Sequence, residues 1–204
     1  SGQISITLGF IYSLLLCLVA FGVLINFNQF TIILAISSMP LAFFYPLMKR
    51  FTYWPQLFLG ITFNYGLILG WTSINNNISY IPIIIYFGAI FWTLGYDTIY
   101  GFQDIADDEI IGVKSTSIKF KNNPKKFLII CYSILITSLL ITGYLMELNK
   151  FYFVNTLLVI IHLFFYQIKS FNSNNTENCL KIFKSNNFLG LLIFASILLG
   201  KLNI

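Results

Sequence analysis

The sequence predicts an all-α fold, a polytopic bundle of about seven transmembrane helices. Of its 204 residues, 57% are hydrophobic and only 9% are charged, whereas about a quarter of the residues in a soluble domain are charged. So few charges cannot cover a water-facing surface. Apolar segments long enough to cross a bilayer recur along the chain, and basic residues collect in alternate loops between them. We therefore expect residues 1–204 to form a single membrane domain.

Seven apolar segments are the candidate spans, and each is bounded by a loop or a proline. A helix needs roughly 17 to 25 mostly apolar residues to cross the hydrocarbon core, and the second and third segments are short. The candidates cover residues 6–25, 30–47, 56–71, 80–97, 127–145, 151–168 and 188–202.

The basic residues give an orientation. Ten of the twelve Lys and Arg residues lie in the loops after the second, fourth and sixth spans, whereas Lys150 and Lys201 lie on the other side. With seven spans, those three loops share one side, which the positive-inside rule makes cytoplasmic, with the C-terminus external. The net charge of +5 is explained in this way, so we expect a lipid bilayer and no nucleic acid as partner.

The acidic residues are concentrated after the fourth span. Five of the seven lie in the segment 97–109. On a helix continuing from the fourth span, Asp104 and Asp108 follow Asp97 by seven and eleven residues, within about 20° of it around the axis. Gly101 falls on the same stripe and leaves a slot beside the backbone. An ionisable residue at the end of an apolar span indicates function.

This stripe suits a cation bound together with an anionic substrate. Mg²⁺ is usually held by one or two carboxylates plus substrate phosphates, and Lys114 follows the acidic residues closely enough to contact phosphate oxygens. A solvated loop and the cation site of a membrane transporter are alternatives that the spacing leaves open.

Residues 96–116 resemble the second aspartate-rich motif of the 4-hydroxybenzoate polyprenyltransferases, a branch of the UbiA superfamily of membrane prenyltransferases. The family motif is YDTxYxxxDxxDDxxxGxKST. Residues 45–56 and 60–66 also resemble this branch, and the resemblance extends across essentially the whole chain. The matching residues of the motif are Asp97, Thr98, Tyr100, Asp104, Asp107, Asp108, Gly112, Lys114, Ser115 and Thr116.

The resemblance implies a prenyltransferase that moves a polyprenyl group from polyprenyl diphosphate to 4-hydroxybenzoate in ubiquinone biosynthesis, with Mg²⁺ as cofactor. It implies that the catalytic residues are Asp97, Asp104 and Asp108, and that the metal ligands are Asp104, Asp107 and Asp108. The implied substrate-binding residues are Lys49, Arg50, Asn64 and Lys114, with Lys114 on the diphosphate. An Arg can hold a carboxylate with two parallel hydrogen bonds, so Arg50 is the expected anchor of the aromatic acid.

The family also has a first aspartate-rich motif, NDxxDRxxD, which these 204 residues do not contain. Ser1 and Gly2 resemble the end of the stretch that follows it. The seven spans would then be helices three to nine of a nine-helix fold, and a separate N-terminal fragment is a candidate partner. We expect this chain alone to be inactive, and an inactive remnant of the enzyme is an alternative interpretation.

Two further expectations concern identity and location. The YDT motif and the tyrosine–proline block at 45–56 argue against superfamily branches that act on naphthoate, homogentisate or haem. The expected location is a bacterial inner membrane, with the site on its cytoplasmic side.

Polar and aromatic residues within the spans have simpler interpretations. His162 is isolated in an apolar span and is expected to pack or to form an interhelical hydrogen bond. Trp54, Trp71 and Trp92 are interpreted as residues of the aromatic belts near span ends.

Overall fold

The computed structural model describes residues 4–202, and within that range it contains helices and no strands. Seven helices are long and apolar enough to cross a membrane, so the predicted multi-pass bundle is confirmed. Their bounds are Ile6–Leu24, Gln29–Phe51, Pro55–Asn75, Tyr80–Gly101, Pro124–Leu145, Lys150–Ile168 and Thr176–Lys201. Ser1 and Gly2, which resemble the end of the stretch that follows the family's first aspartate-rich motif, lie outside the described residues.

Local signals in the sequence explain where most of these helices begin. A side-chain oxygen just before the first turn accepts a backbone N–H there and satisfies one of the free donors of the helix. Two other spans begin with a proline, which has no N–H to satisfy. The capping residues are Ser5, Asn28, Ser79, Asn149 and Asn175, and the prolines are Pro55 and Pro124.

The seventh span begins 12 residues before the predicted start at position 188, since its first helical residue is Thr176. Its first half carries lysines and asparagines. These residues lower the mean hydropathy of the segment, from which a span is predicted. Asn175 caps this half, and Asn186 within it is buried. The predicted span therefore starts too late, because the sequence does not reveal that Asn186 has polar partners on other spans.

Three spans are irregular. The second consists of the helix Gln29–Phe44, a tight 3₁₀ turn at Tyr45–Leu47 and the turn Met48–Phe51. The third is interrupted between Pro55–Phe63 and Gly66–Asn75. In the sixth, Lys150–Ile160 continues as the π-helical segment Ile161–Ile168. Such irregularities are frequent at functional sites.

The fourth and fifth spans form the centre of the bundle and approach each other through small residues. A Cβ on Gly88 would lie 2.6 Å from Cβ of Ser138, and one on Gly95 would lie 2.7 Å from the ring of Tyr132. Small residues at such contacts allow the backbones of membrane helices to come close. By contrast, the first span has no buried residue within the described range.

Candidate functional site

The acidic segment does not continue the fourth helix. That helix ends at Gly101, and a separate short helix, Ile105–Ile111, follows Asp104 and closes at Gly112. Gly112 has φ of 78°, a conformation that glycine adopts without strain. The expected continuous stripe is therefore wrong as a description of the backbone. Nevertheless, the turn back at residues 102–104 brings Asp97, Asp104 and Asp108 to one cavity.

This cavity, which we call the acidic cavity, has a volume of about 290 Å³. It lies at the ends of the second, third and fourth spans, on the side of the basic loops. Three carboxylates and two ammonium groups share its wall, so it can bind a cation and an anion together. The lining residues are Tyr45, Lys49, Pro55, Gln56, Leu59, Asp97, Tyr100, Gly101, Asp104, Asp108, Val113, Lys114 and Ser115.

The two lysines are held close together by backbone contacts. The amide nitrogen of Lys114 donates to the carbonyl oxygen of Lys49 over 2.8 Å. The Lys114 ammonium donates to the carbonyl oxygen of Phe51 over 3.3 Å and lies 5.6 Å from the centre of the Tyr53 ring. Both side chains remain on the cavity wall, where an anionic ligand can reach them.

The residues after Lys114 fasten the loop to the fourth span. Thr98 donates its hydroxyl proton to the carbonyl oxygen of Leu94 over 2.6 Å. Thr116, 2.6 Å from Thr98, must therefore be the donor between the two hydroxyls. Gln56 Oε1 accepts the Thr116 amide over 3.0 Å. All three polar residues are buried, so the threonines of the motif are structural anchors of the cavity.

Gly101 provides the slot that the sequence predicts, and a side chain fills it. A Cβ on Gly101 would collide with the hydroxyl of Ser117 and would lie 3.5 Å from Nε2 of Gln56. Ser117 donates that hydroxyl to the carbonyl oxygen of Thr98 over 2.9 Å. The glycine is therefore needed for the loop to dock this closely.

The electrostatics of the cavity favour a cation. Burial raises the pKa of the Asp108 carboxyl above its ordinary value, and the charges of Asp104 and Asp107 raise it further, whereas Lys49 opposes them. A bound cation would relieve this repulsion. Within residues 4–202, no group of three or more His, Cys, Asp or Glu side chains is assembled to hold a metal ion. Any metal here would take its remaining ligands from the substrate or from water, as Mg²⁺ commonly does.

Some of the predicted site residues lie elsewhere. Asp107 and Arg50 are exposed and do not line the acidic cavity. Asn64 lines a second cavity deeper in the bundle. The roles expected for these three residues stay predictions.

The second cavity, which we call the asparagine cavity, has a volume of about 290 Å³ and lies between the third, fourth and seventh spans. Among its lining residues, only Asn64 is predicted from the sequence to bind substrate. The interpretation of Trp92 as a belt residue is wrong, because Trp92 lies in the middle of the fourth span and donates to Oδ1 of Asn186 over 2.8 Å. The lining residues are Phe63, Asn64, Trp92, Thr93, Tyr96, Phe183, Asn186 and Asn187.

A buried hydrogen-bond network supports one wall of this cavity. Gln167, fully buried in the π-helical segment, accepts from the Tyr132 hydroxyl over 2.7 Å. Its nitrogen donates to Oδ1 of Asn186 over 3.1 Å. The network connects the fourth to seventh spans. His162, whose Nε2 lies 3.2 Å from Oγ of Ser185, forms the interhelical hydrogen bond expected of it.

The whole chain resembles one family of membrane enzymes. Residues 1–196 match the UbiA prenyltransferase family. The chain is 41% identical over 184 residues to the mitochondrial 4-hydroxybenzoate polyprenyltransferase of Bos taurus, covering 90% of this chain and 49% of the relative. It is 37% identical over 203 residues to that of Rattus norvegicus, covering 99% and 54%. The chain thus spans about half the length of these relatives.

Solved structures show the same fold. A UbiA homolog from Aeropyrum pernix K1 superposes with a TM-score of 0.79 at 18% identity, covering 98% of this chain and 75% of the homolog. A digeranylgeranylglyceryl phosphate synthase superposes with a TM-score of 0.67, also at 18% identity, covering 98% and 71%.

Proposed function

The chain belongs to the UbiA prenyltransferase family, and we propose that it transfers a polyprenyl group from polyprenyl diphosphate to 4-hydroxybenzoate, a step of ubiquinone biosynthesis. The observation that carries this proposal is the acidic cavity. It brings Asp97, Asp104 and Asp108 together with Lys49 and Lys114 at one end of an apolar bundle. A site with charged groups at one end of an apolar bundle suits a ligand with an anionic head and a long apolar tail.

The chemistry is an electrophilic substitution on the ring. The bond between C1 of the polyprenyl chain and the diphosphate oxygen breaks, and its electron pair leaves with the diphosphate. The ring carbon next to the hydroxyl-bearing carbon then forms a bond to C1, and the proton on that ring carbon is lost. Asp97, a partly buried carboxylate on the cavity wall, is well placed to accept that proton.

The charged residues stabilise the leaving group. Lys49 and Lys114 would contact the diphosphate oxygens, since preorganised charges at the site of developing charge are a major source of catalysis. Asp104 and Asp108 would hold Mg²⁺, with Asp107 nearby. When bound, this ion would supply Lewis-acid neutralisation of the diphosphate charge. Arg50 would approach the carboxylate of the acceptor from the edge of the cavity.

We place the acidic cavity on the cytoplasmic or matrix side of an inner membrane, because the basic loops share that side. The relatives are named mitochondrial, whereas a bacterial inner membrane is the location expected from the sequence. A polypeptide carrying a second carboxylate cluster remains a proposed partner.

Product analysis tests the proposed function. Membranes containing the chain, alone or with a co-expressed fragment that carries NDxxDRxxD, are supplied with polyprenyl diphosphate and labelled 4-hydroxybenzoate. With the fragment we expect a magnesium-dependent prenylated product that disappears in the double variant Asp104→Asn/Asp108→Asn, and with the chain alone we expect little or no product. The matched control is Glu177→Gln, a carboxylate in the first turn of the seventh span. Absence of product in both preparations would contradict the proposal.

A further inference from the structure

A third cavity, of about 420 Å³, lies between the start of the fifth span and the end of the sixth. It is lined by residues 124–125 and 169–173, and we call it the basic cavity. Lys125 is the second residue of the fifth span, and Lys169 directly follows the segment that ends the sixth. Two ammonium groups from different spans therefore share the wall of one cavity.

The lining of the basic cavity has the chemistry of an anion site. It contains no Asp or Glu, and within residues 4–202 neither of its lysines forms an ion pair with a carboxylate. The hydroxyls of Ser170 and Ser173 are further hydrogen-bond donors on the wall. A phosphate group, which carries negative charge and accepts several hydrogen bonds, complements such a set of donors.

Contacts within the protein hold the wall of this cavity in place. The Lys125 ammonium donates to the carbonyl oxygen of Lys169 over 3.4 Å, which joins the ends of the two spans and occupies one of its three N–H donors. Phe171 is buried, and the amide of Asn172 donates to Oδ1 of Asn178 over 2.9 Å. The loop that follows the sixth span is thereby fixed without a ligand.

Exposed apolar side chains beside the lysines favour a lipid over a free phosphate. Ile129 lies one turn after Lys125 on the same face of the fifth span and is 42% exposed. Phe165 lies about one turn before Lys169 in the sixth span and is 67% exposed. A phospholipid with its headgroup in the basic cavity would lay its acyl chains along this apolar surface, whereas a free phosphate would leave the surface unused.

We propose that the basic cavity binds the phosphate of an anionic phospholipid, with Lys125 and Lys169 on the phosphate oxygens. Basic residues at a membrane surface attract anionic lipids, and each Lys contributes a factor of about five in affinity. A zwitterionic lipid carries the same phosphate together with a cation that the lysines repel. The bound lipid connects the fifth and sixth spans at their common end, and its site is independent of the proposed reaction.

Lipid binding to the full 204-residue chain tests this inference. The protein in detergent is titrated with dioleoyl phosphatidylglycerol or dioleoyl phosphatidylcholine, and native mass spectrometry counts the bound lipids. We expect one phosphatidylglycerol to bind about tenfold more tightly than phosphatidylcholine. Lys125→Gln/Lys169→Gln should remove this preference, because it removes both ammonium groups. Phosphatidylglycerol should also raise the thermal unfolding temperature of the unsubstituted chain, and not that of the double variant.

Lys126→Gln/Lys181→Gln is the matched control, since it removes two exposed lysines that do not line the basic cavity. It should keep the preference, and an equal loss in both double variants would overturn the inference in favour of unspecific attraction by net charge. Equal affinity of the unsubstituted chain for the two lipids would also overturn it.

If Lys125→Gln/Lys169→Gln does not yield a folded protein, Lys169→Gln keeps the ammonium that joins the two spans and should lose about fivefold in affinity for phosphatidylglycerol. An unchanged affinity in this variant would contradict the proposal. Inorganic phosphate at millimolar concentration should not displace the lipid. Displacement would assign the basic cavity to a soluble phosphate and would overturn the lipid site.

Discussion

The amide nitrogen of Lys114 donates a 2.8 Å hydrogen bond to the carbonyl oxygen of Lys49, and this bond joins the end of the acidic segment to the end of the second span. It places two ammonium groups on a wall that also carries Asp104 and Asp108. Within residues 4–202 neither ammonium group forms an ion pair with these carboxylates, so both signs of charge are free to pair with a ligand. A metal–diphosphate complex would contribute both the missing cation and the missing anion.

The Lys114 ammonium should act on the donor substrate and not on the acceptor. Replacing Lys114 with Met keeps much of the side-chain volume and removes the charge. A charge-assisted hydrogen bond contributes about 1.5 to 3 kcal/mol, so the KM for polyprenyl diphosphate should rise about tenfold or more, with the KM for 4-hydroxybenzoate nearly unchanged. Steady-state kinetics with each substrate varied in turn would measure this. Lys126→Met, a lysine outside the cavity, is the control, and equal effects of the two variants would refute the assignment.

The Gly101 slot should be sensitive to a single methyl group. In Gly101→Ala the new Cβ displaces the Ser117 hydroxyl, which then loses its bond to the Thr98 carbonyl. We expect a destabilisation of about 1 to 3 kcal/mol, seen as a lower thermal unfolding temperature in detergent. Gly9→Ala is the control, because a Cβ there meets no atom within 4 Å. Comparable unfolding temperatures for the two variants would show that the loop docks less tightly than described.

The basic loops predict the orientation of the chain. We consider bacterial spheroplasts that carry the protein with Cys17, the exposed native cysteine, changed to Ser. A membrane-impermeant maleimide should label Lys201→Cys and should not label Lys119→Cys. Permeabilisation should make Lys119→Cys reactive. The opposite pattern would place the acidic cavity on the outer side.

The seven spans could be predicted from the sequence because each carries a continuous apolar run. The acidic cluster could be predicted because five carboxylates lie in one short segment. Features that depend on contacts between distant segments could not be predicted from the sequence. The turn after Gly101 depends on Ser117 docking against Thr98, and the asparagine cavity depends on the meeting of three spans. Asn186 falls outside the span predicted at 188–202, because its partners, Trp92 and Gln167, lie on other helices.

The three aspartates of the acidic segment should differ in their contributions to catalysis. Asp104 and Asp108 line the acidic cavity, and the Asp108 pKa is raised by burial and by its acidic neighbours, whereas Asp107 lies off the cavity wall. Removing a preorganised electrostatic group at a reaction centre costs about 10² to 10³ in kcat, and we expect losses of this order for Asp104→Asn and Asp108→Asn. Asp107→Asn should lose less than about tenfold, since its carboxylate acts from a distance through solvent. Initial rates measured over a magnesium titration would separate the three variants, with Glu177→Gln as the control. A loss for Asp107→Asn as large as for Asp108→Asn would show that Asp107 turns into the cavity when the metal and diphosphate bind.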